Sequence, residues 1–325
     1  MKQLQSFILI CVLCLSLTAC GDVPEQADDG KLTIVTTIFP EYDWLRNLTA
    51  GSENVEVQLL IDKGVDLHSY QPSVKDIVKI STCDVFIYTG GASDVWVEDA
   101  LETAMNEDML VIDLMELLEQ HRELCTEEHD HEHDYEEHDH EEHDHEHTAD
   151  EHIWLSLVNA GILCRELTEQ LQVLDSENAE LYASNYTAYA AEIEALDERY
   201  HETVKNAAHH NIVFGDRFPF AYLAEDYDLH CHAAYEGCSA ETEVSFQTFA
   251  ELAAELDELN LDYVVIIDDS DHRIADTVIA SSADKSRTIC TMQSMQAVSA
   301  RQIRDGATYL GIMEENLSVL QQVLN

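Results

Sequence analysis

Four places in the chain carry side chains able to share a divalent cation. His68 lies in VDLHSYQPS (65–73), and His152 lies in EHIWLS (151–156). Asp216 stands in FGDRFPF (214–220), and Asp268, Asp269, Asp271 and His272 cluster at the end of YVVIID (263–268) and just beyond it. Imidazole nitrogens and carboxylate oxygens are the donors that Zn2+ and Mn2+ accept. No HExxH pair or similar helical motif accompanies them. A zinc hydrolase, which needs an open coordination position and a base beside it, is therefore the weaker expectation, and the chain is read as a binding protein and not an enzyme.

A second concentration of donors lies beside His152. His129, His131, His133, His138, His140, His143, His145 and His147 alternate with acids. The stretch 127–150 is too polar to pack and reads as a disordered low-complexity insertion. A flexible chain cannot hold ligands at fixed distances, but a high local density of donors next to a cleft raises metal capture. The tract is thus expected to gather metal. His152 sits where the composition turns to Ile153, Trp154 and Leu155, and belongs to the site that holds it. A solvated acidic spacer is the competing reading of the tract.

Strand ends must position these groups. LTIVTTIFP (32–40), VEVQLLI (55–61), DVFIYTGG (84–91) and MLVIDL (109–114) are apolar or β-branched and read as buried strands, with helical stretches at 41–51, 73–80 and 94–105 between them. A second series follows: strands at 211–216, 263–268 and 287–292, and helices at 246–259, 275–283 and near 302–324. Alternating strands and helices make βαβ units with a largely parallel sheet. Between the two series, Ser176 to about Asn206 contains no Pro or Gly, and Tyr182, Tyr186, Tyr189, Ile193, Leu196 and Tyr200 form one helical stripe read as packing. Ser176 is the expected N-cap. The pattern implies an α/β fold of two lobes: 32–174 with its insertion, a linking helix at 175–207, and 208–325. All four candidate places then lie at strand ends facing a cleft between the lobes, where such sheets bind ligands.

The chain has 325 residues and a formal net charge of −50, which leaves room for two cores, excludes nucleic acid as a natural partner and suits a protein that attracts cations. Lys2 and the short apolar stretch 7–17 form an export signal, ending in Leu17-Thr18-Ala19-Cys20. Small residues before a cysteine resemble the bacterial lipobox, so residues 1–19 are expected to be removed and Cys20 lipidated, with 20–31 as a tether to the outer face of the cell membrane. Of the remaining cysteines, Cys231 and Cys238 are near enough to close a local loop. None has the spacing of a zinc motif.

Longer matches give these features a family. His68-Ser69-Tyr70-Gln71-Pro72 matches an HxYEP-like loop, and Asp150-Glu151-His152-Ile153-Trp154-Leu155-Ser156 matches a DPHIWLSP-like motif that follows a histidine-rich acidic loop. Gly90-Gly91 with Trp96, the DRFPF and CSAETE segments and Gly306–Leu310 agree as well. Over essentially the whole mature chain, the sequence resembles the substrate-binding lipoproteins of bacterial ABC importers for zinc and manganese, the cluster with a rigid helical linker. The resemblance implies capture of an extracytoplasmic metal by a monomer and its delivery to a membrane permease. It implies His68 and His152 as ligands, Asp216 where the family has His or Glu, and an acid from the last cluster, with Asp271 fitting best and Asp268, Asp269 and His272 as rivals. Glu243 is an outer acceptor or substitute ligand. Gln71 replaces a Glu, while Glu151 and Leu157 replace prolines, changes expected to alter loop stiffness more than ligation. The donors favour zinc, with manganese as the alternative. A surface metal buffer or adhesin without a transporter uses the same residues.

Overall fold

Runs of four or five residues, mostly apolar and β-branched, build two parallel sheets with the same strand order. The computed structural model describes residues 30–127, 150–235 and 244–325. The expected signal at 1–19, Cys20, the histidines of the tract and Glu243 lie outside the described residues. By backbone contacts, Leu32–Asn325 forms one compact unit.

The first sheet has β1 (Leu32–Thr36), β2 (Val55–Leu59), β3 (Val85–Tyr88) and β4 (Leu110–Asp113) in the order β2-β1-β3-β4. Ile34 of β1 stands opposite Val57 on one side and Val85 on the other. The second has β5 (Asn211–Phe214), β6 (His230–Ala233), β7 (Tyr263–Ile267) and β8 (Thr288–Met292) in the order β6-β5-β7-β8. All pairings are parallel, as the alternation of elements implies. In both sheets the strand order reverses between the first strand and the third, and the crevice outside their carboxyl ends is the place such sheets offer a ligand. The segments that emerge there include Thr37–Ile38 and Thr89–Asp94 in one lobe, and Gly215–Arg217 and Asp268–Asp269 in the other.

Departures from the sequence expectation have local causes. β1 ends at Thr36, and Phe39-Pro40 opens helix α1 (Phe39–Leu48) instead of closing the strand. Proline is tolerated in a first helical turn, where its missing N–H would have no partner. The N–H groups of Thr37 and Ile38 donate to Glu41 Oε2 at 2.9 and 3.2 Å, and Thr37 N–H also reaches Ile87 O at 3.2 Å. Edge strand β6, His-Cys-His-Ala, was not expected, because it has neither β-branched residues nor apolar alternation.

The remaining helices are α2 (Val74–Thr82), α3 (Trp96–Leu101), α4 (Leu114–Glu127), α5 (Leu157–Leu174), α6 (Ala179–Lys205), α7 (Ala221–Asp226), α8 (Phe246–Glu258), α9 (Arg273–Ser281), α10 (Ala300–Arg304) and α11 (Tyr309–Val323). Helix α6 has 27 residues, about 40 Å at ~1.5 Å per residue. It starts at Ala179 and not at Ser176, because Ser176–Asn178 is a tighter 3-10 turn. The Asp175 carboxylate fixes that turn by accepting from Asn178 Nδ2 and the Tyr182 hydroxyl. The tyrosine stripe packs as expected, with Tyr182, Tyr189, Ile193, Leu196 and Tyr200 buried.

One apolar core runs from the first sheet through α5 and α6 to the inner side of the second sheet, and a smaller one fills the space between that sheet and α8 and α9. Helix α11 ties the halves together. Tyr200 donates from its hydroxyl to Met313 O at 2.6 Å, Tyr309 N–H donates to Asp43 Oδ2 at 2.8 Å, and the Tyr309 ring meets Trp44 edge-on.

Candidate metal centre

His68 sits on a 3-10 turn, Leu67–Ser69, in the loop between β2 and α2. Asp66 opens that turn by accepting from His68 N–H at 2.9 Å, and its other oxygen accepts from Arg217 Nη1 of the second lobe at 2.9 Å. His152 begins a second such turn, Ile153–Leu155, whose apolar residues are buried and carry it inward. Trp154 donates from Nε1 to Ser294 O at 2.9 Å, and Trp154 O accepts from the Tyr309 hydroxyl at 2.8 Å. The two histidines thereby meet, with Nε2 atoms 3.4 Å apart and rings tilted by 60°. His152 is 3% exposed and the His68 side chain 21%.

Each imidazole is backed by a carboxylate. Asp150 Oδ1 accepts from His152 N–H at 2.8 Å and lies 2.7 Å from His152 Nδ1. Glu151 Oε1 lies 3.0 Å from His68 Nδ1, and Ser93 Oγ lies 2.6 Å from the same nitrogen. Ser93 belongs to the turn after β3, where Gly91 has φ +79° and a Cβ there would come within 3.0 Å of Glu151. Burial alone would raise the Glu151 carboxyl, but hydrogen bonds from His68 and Ser93 outweigh it and hold the group below the ordinary range. Among the described residues, His68, Glu151 and His152 form a group whose donor atoms all lie within 4.8 Å. Glu151 therefore does more than the expected change of loop stiffness: its carboxylate stands in the cluster.

The second lobe closes the pair with Gln296, which the sequence reading passed over because a glutamine carries no metal-ligand signal. Gln296 Nε2 lies 2.7 Å from His152 Nε2 and 3.1 Å from His68 Nε2, and the residue is buried. Asp268 braces its turn, Oδ1 accepting from Ser294 N–H at 2.6 Å, and Asn316 Oδ1 accepts from Gln293 N–H at 2.7 Å. Burial pushes the Asp268 carboxyl up, against the lowering effect of its bonds from Ser294.

The expected carboxylates part company. Asp216 is 7% exposed; Oδ1 accepts from Arg217 N–H, and Oδ2 is buried with no hydrogen-bond partner among the described residues. It is set there by Gly215, where a Cβ would come within 2.6 Å of Ala275 Cα. Asp271 instead lies at the surface, its side chain 58% exposed and paired with Arg273, whose bonds hold its carboxyl below the ordinary range. Asp269 and His272 are also exposed, with left-handed backbone at φ 79° and 64°. Neither Asp216 nor Asp268, Asp269, Asp271 or His272 joins the group of His68, Glu151 and His152. The fold brings together the first-lobe histidines but not Asp271.

Known proteins are similar to this chain in sequence and in fold. The family described as periplasmic component A of zinc-uptake complexes matches residues 34–323. The zinc-binding lipoprotein AdcA of Streptococcus pneumoniae is 31% identical over 99% of this chain, which spans only 61% of that relative's length. The high-affinity zinc uptake system protein ZnuA of Bacillus subtilis is 30% identical, over 99% of this chain and 98% of its own. Among solved structures, the Zn(II)-bound ZnuA-like domain of S. pneumoniae AdcA superposes with a TM-score of 0.68 at 26% identity, covering 91% of this chain and 99% of that one. The metal-dependent lipoprotein YcdH of B. subtilis gives 0.69 at 25%, covering 90% and 99%. The match over nearly the whole chain, with the two-lobed fold and the histidine pair, makes this chain a member of the family of periplasmic component A of zinc-uptake complexes.

Proposed function

We propose that the chain captures one zinc ion outside the cytoplasm, between His68 Nε2 and His152 Nε2, and delivers it to the membrane permease of an ABC importer without catalysing a reaction. The separation of the two nitrogens carries the proposal. Nitrogens about 2.0–2.1 Å from a tetrahedral zinc are themselves about 3.3–3.4 Å apart, and here the pair stands at 3.4 Å. Manganese is the alternative cargo. The zinc named for AdcA and ZnuA of similar sequence and bound in the AdcA domain structure supports zinc.

Asp216, with a buried oxygen lacking a partner, is proposed as the third ligand, and the side chain of Gln296 as the group that yields to the ion. Its N–H bonds to the two imidazoles occupy the lone pairs that a cation would take. The fourth role assigned to Asp271 from the sequence has no geometric support. Histidines 129–147 are proposed to raise capture, and Cys20 to hold the protein to the membrane. No helix among the described residues is long and apolar enough to cross a membrane. X-ray absorption of the protein with one equivalent of zinc should show two imidazoles in the first coordination shell. A first shell without imidazole, or one unchanged when both His68 and His152 become alanine, would refute the site.

A further inference from the structure

Position 151 carries more than the proposed function requires. Both Glu151 oxygens accept from Ser93: Oε2 from its N–H at 2.9 Å and Oε1 from its hydroxyl at 2.7 Å. The hydroxyl has one proton, and it points to Oε1. Toward His68 Nδ1, 2.6 Å away, Ser93 Oγ can therefore only accept. Glu151 Oε1, 3.0 Å from the same nitrogen, also presents a lone pair. Two acceptors facing Nδ1 demand a proton on it. A neutral imidazole protonated at Nδ1 carries its lone pair at Nε2, the atom turned to His152 and Gln296.

We propose that Glu151 is a positioning residue for the metal, fixing the tautomer and orientation of His68 through Nδ1 and Ser93 without itself ligating the ion. This rests on the His68–His152 site proposed above. Glu151 is well placed for such a role: it is 8% exposed, Gly91 leaves room for it, and its neighbours along the chain, Asp150 and His152, make the same carboxylate-to-Nδ1 contact. The consecutive carboxylates Asp150 and Glu151 would then orient the two imidazoles, each through Nδ1. Carboxylates behind metal-bound imidazoles act in this way generally, and their loss costs about 10–100-fold in affinity.

A double-mutant cycle on the full chain tests it, with zinc affinity read by competition against a chelator. Glu151→Ala should weaken binding by about 10–100-fold in the native background. In a His68→Ala background, where there is no imidazole to orient, the same substitution should change affinity by less than about twofold, because groups acting through one another are not additive. Glu151→Asp should recover part of the loss. Equal losses in both backgrounds would make Glu151 a ligand and overturn the proposal, as would no loss in either. If His68→Ala alone left affinity intact, the site would be wrong and not merely the role of Glu151.

Discussion

The segment Asp150–His152 and the turn Asp268–His272 each set histidine beside several carboxylates at the mouth of a parallel sheet, and they differ in everything around those groups. In the first, each carboxylate accepts more than one bond, the backbone is carried inward by Ile153, Trp154 and Leu155, and the imidazole is 3% exposed. In the second, only Asp268 is turned to a structural task. Asp271 pairs with its neighbour Arg273 in water, and His272 and Asp269 sit in left-handed backbone at the surface. Donor atoms become a binding site when their spare valences are already committed and water is excluded. An exposed acid with an exposed arginine beside it offers a cation little, since such a pair is solvated and screened.

The contrast can be broken at either end. The largest effect belongs to His152→Ala, which should lower zinc affinity by more than the about 100-fold upper figure for an outer partner. Calorimetry at one equivalent of zinc reads it, and a loss under tenfold would remove His152 from the site. Next comes Asp66→Ala, which deletes the cap of the His68 turn and its bond to Arg217. Chemical denaturation should show about 1 kcal/mol less stability, as for other lost caps, and zinc affinity should fall by less than for His152→Ala. An effect on stability alone would mean that the turn holds its shape without Asp66.

A third test concerns the acids behind the first turn. Burial, with the charge of Asp94 added, pushes the Glu41 carboxyl up to about 8, and burial with the charges of Glu151 and Asp113 pushes Asp94 up to about 7. The folded chain then keeps a proton on Glu41 that the unfolded chain releases above about pH 4.5, so its contribution to stability is full below that pH and is lost as pH rises to about 8. Glu41→Gln, which cannot ionise, should match the native protein at pH 4 and exceed its melting temperature at pH 8. A difference independent of pH would deny the burial its electrostatic role. The smallest effect is expected for Asp271→Ala, with zinc affinity and melting temperature unchanged; a clear loss of affinity would restore that turn to the site.

The fold was legible because parallel strands buried on both faces announce themselves as apolar runs, and the linking helix by its uninterrupted stripe. That His68 and His152 would lie together was legible from their loops and from the change of composition at Ile153. Asp271, expected beside them, lies apart because a sequence shows an acid after a strand but not the arginine that takes it or the exposure of the turn. Glu151 looked like a stiffness change because its contact with His68 joins residues 83 apart in the chain, brought together by the glycine turn after β3. Gln296 could not be seen, since its place depends on Asp268 and Asn316 bracing the turn after β8.

The most direct measurement is anomalous diffraction at the zinc edge from crystals of the chain loaded with a single equivalent. A peak within bonding distance of both His68 Nε2 and His152 Nε2, with Glu151 on the far side of the His68 ring, is expected. A peak at the 268–272 turn, or one bonded to neither of those nitrogens, would contradict the assignment.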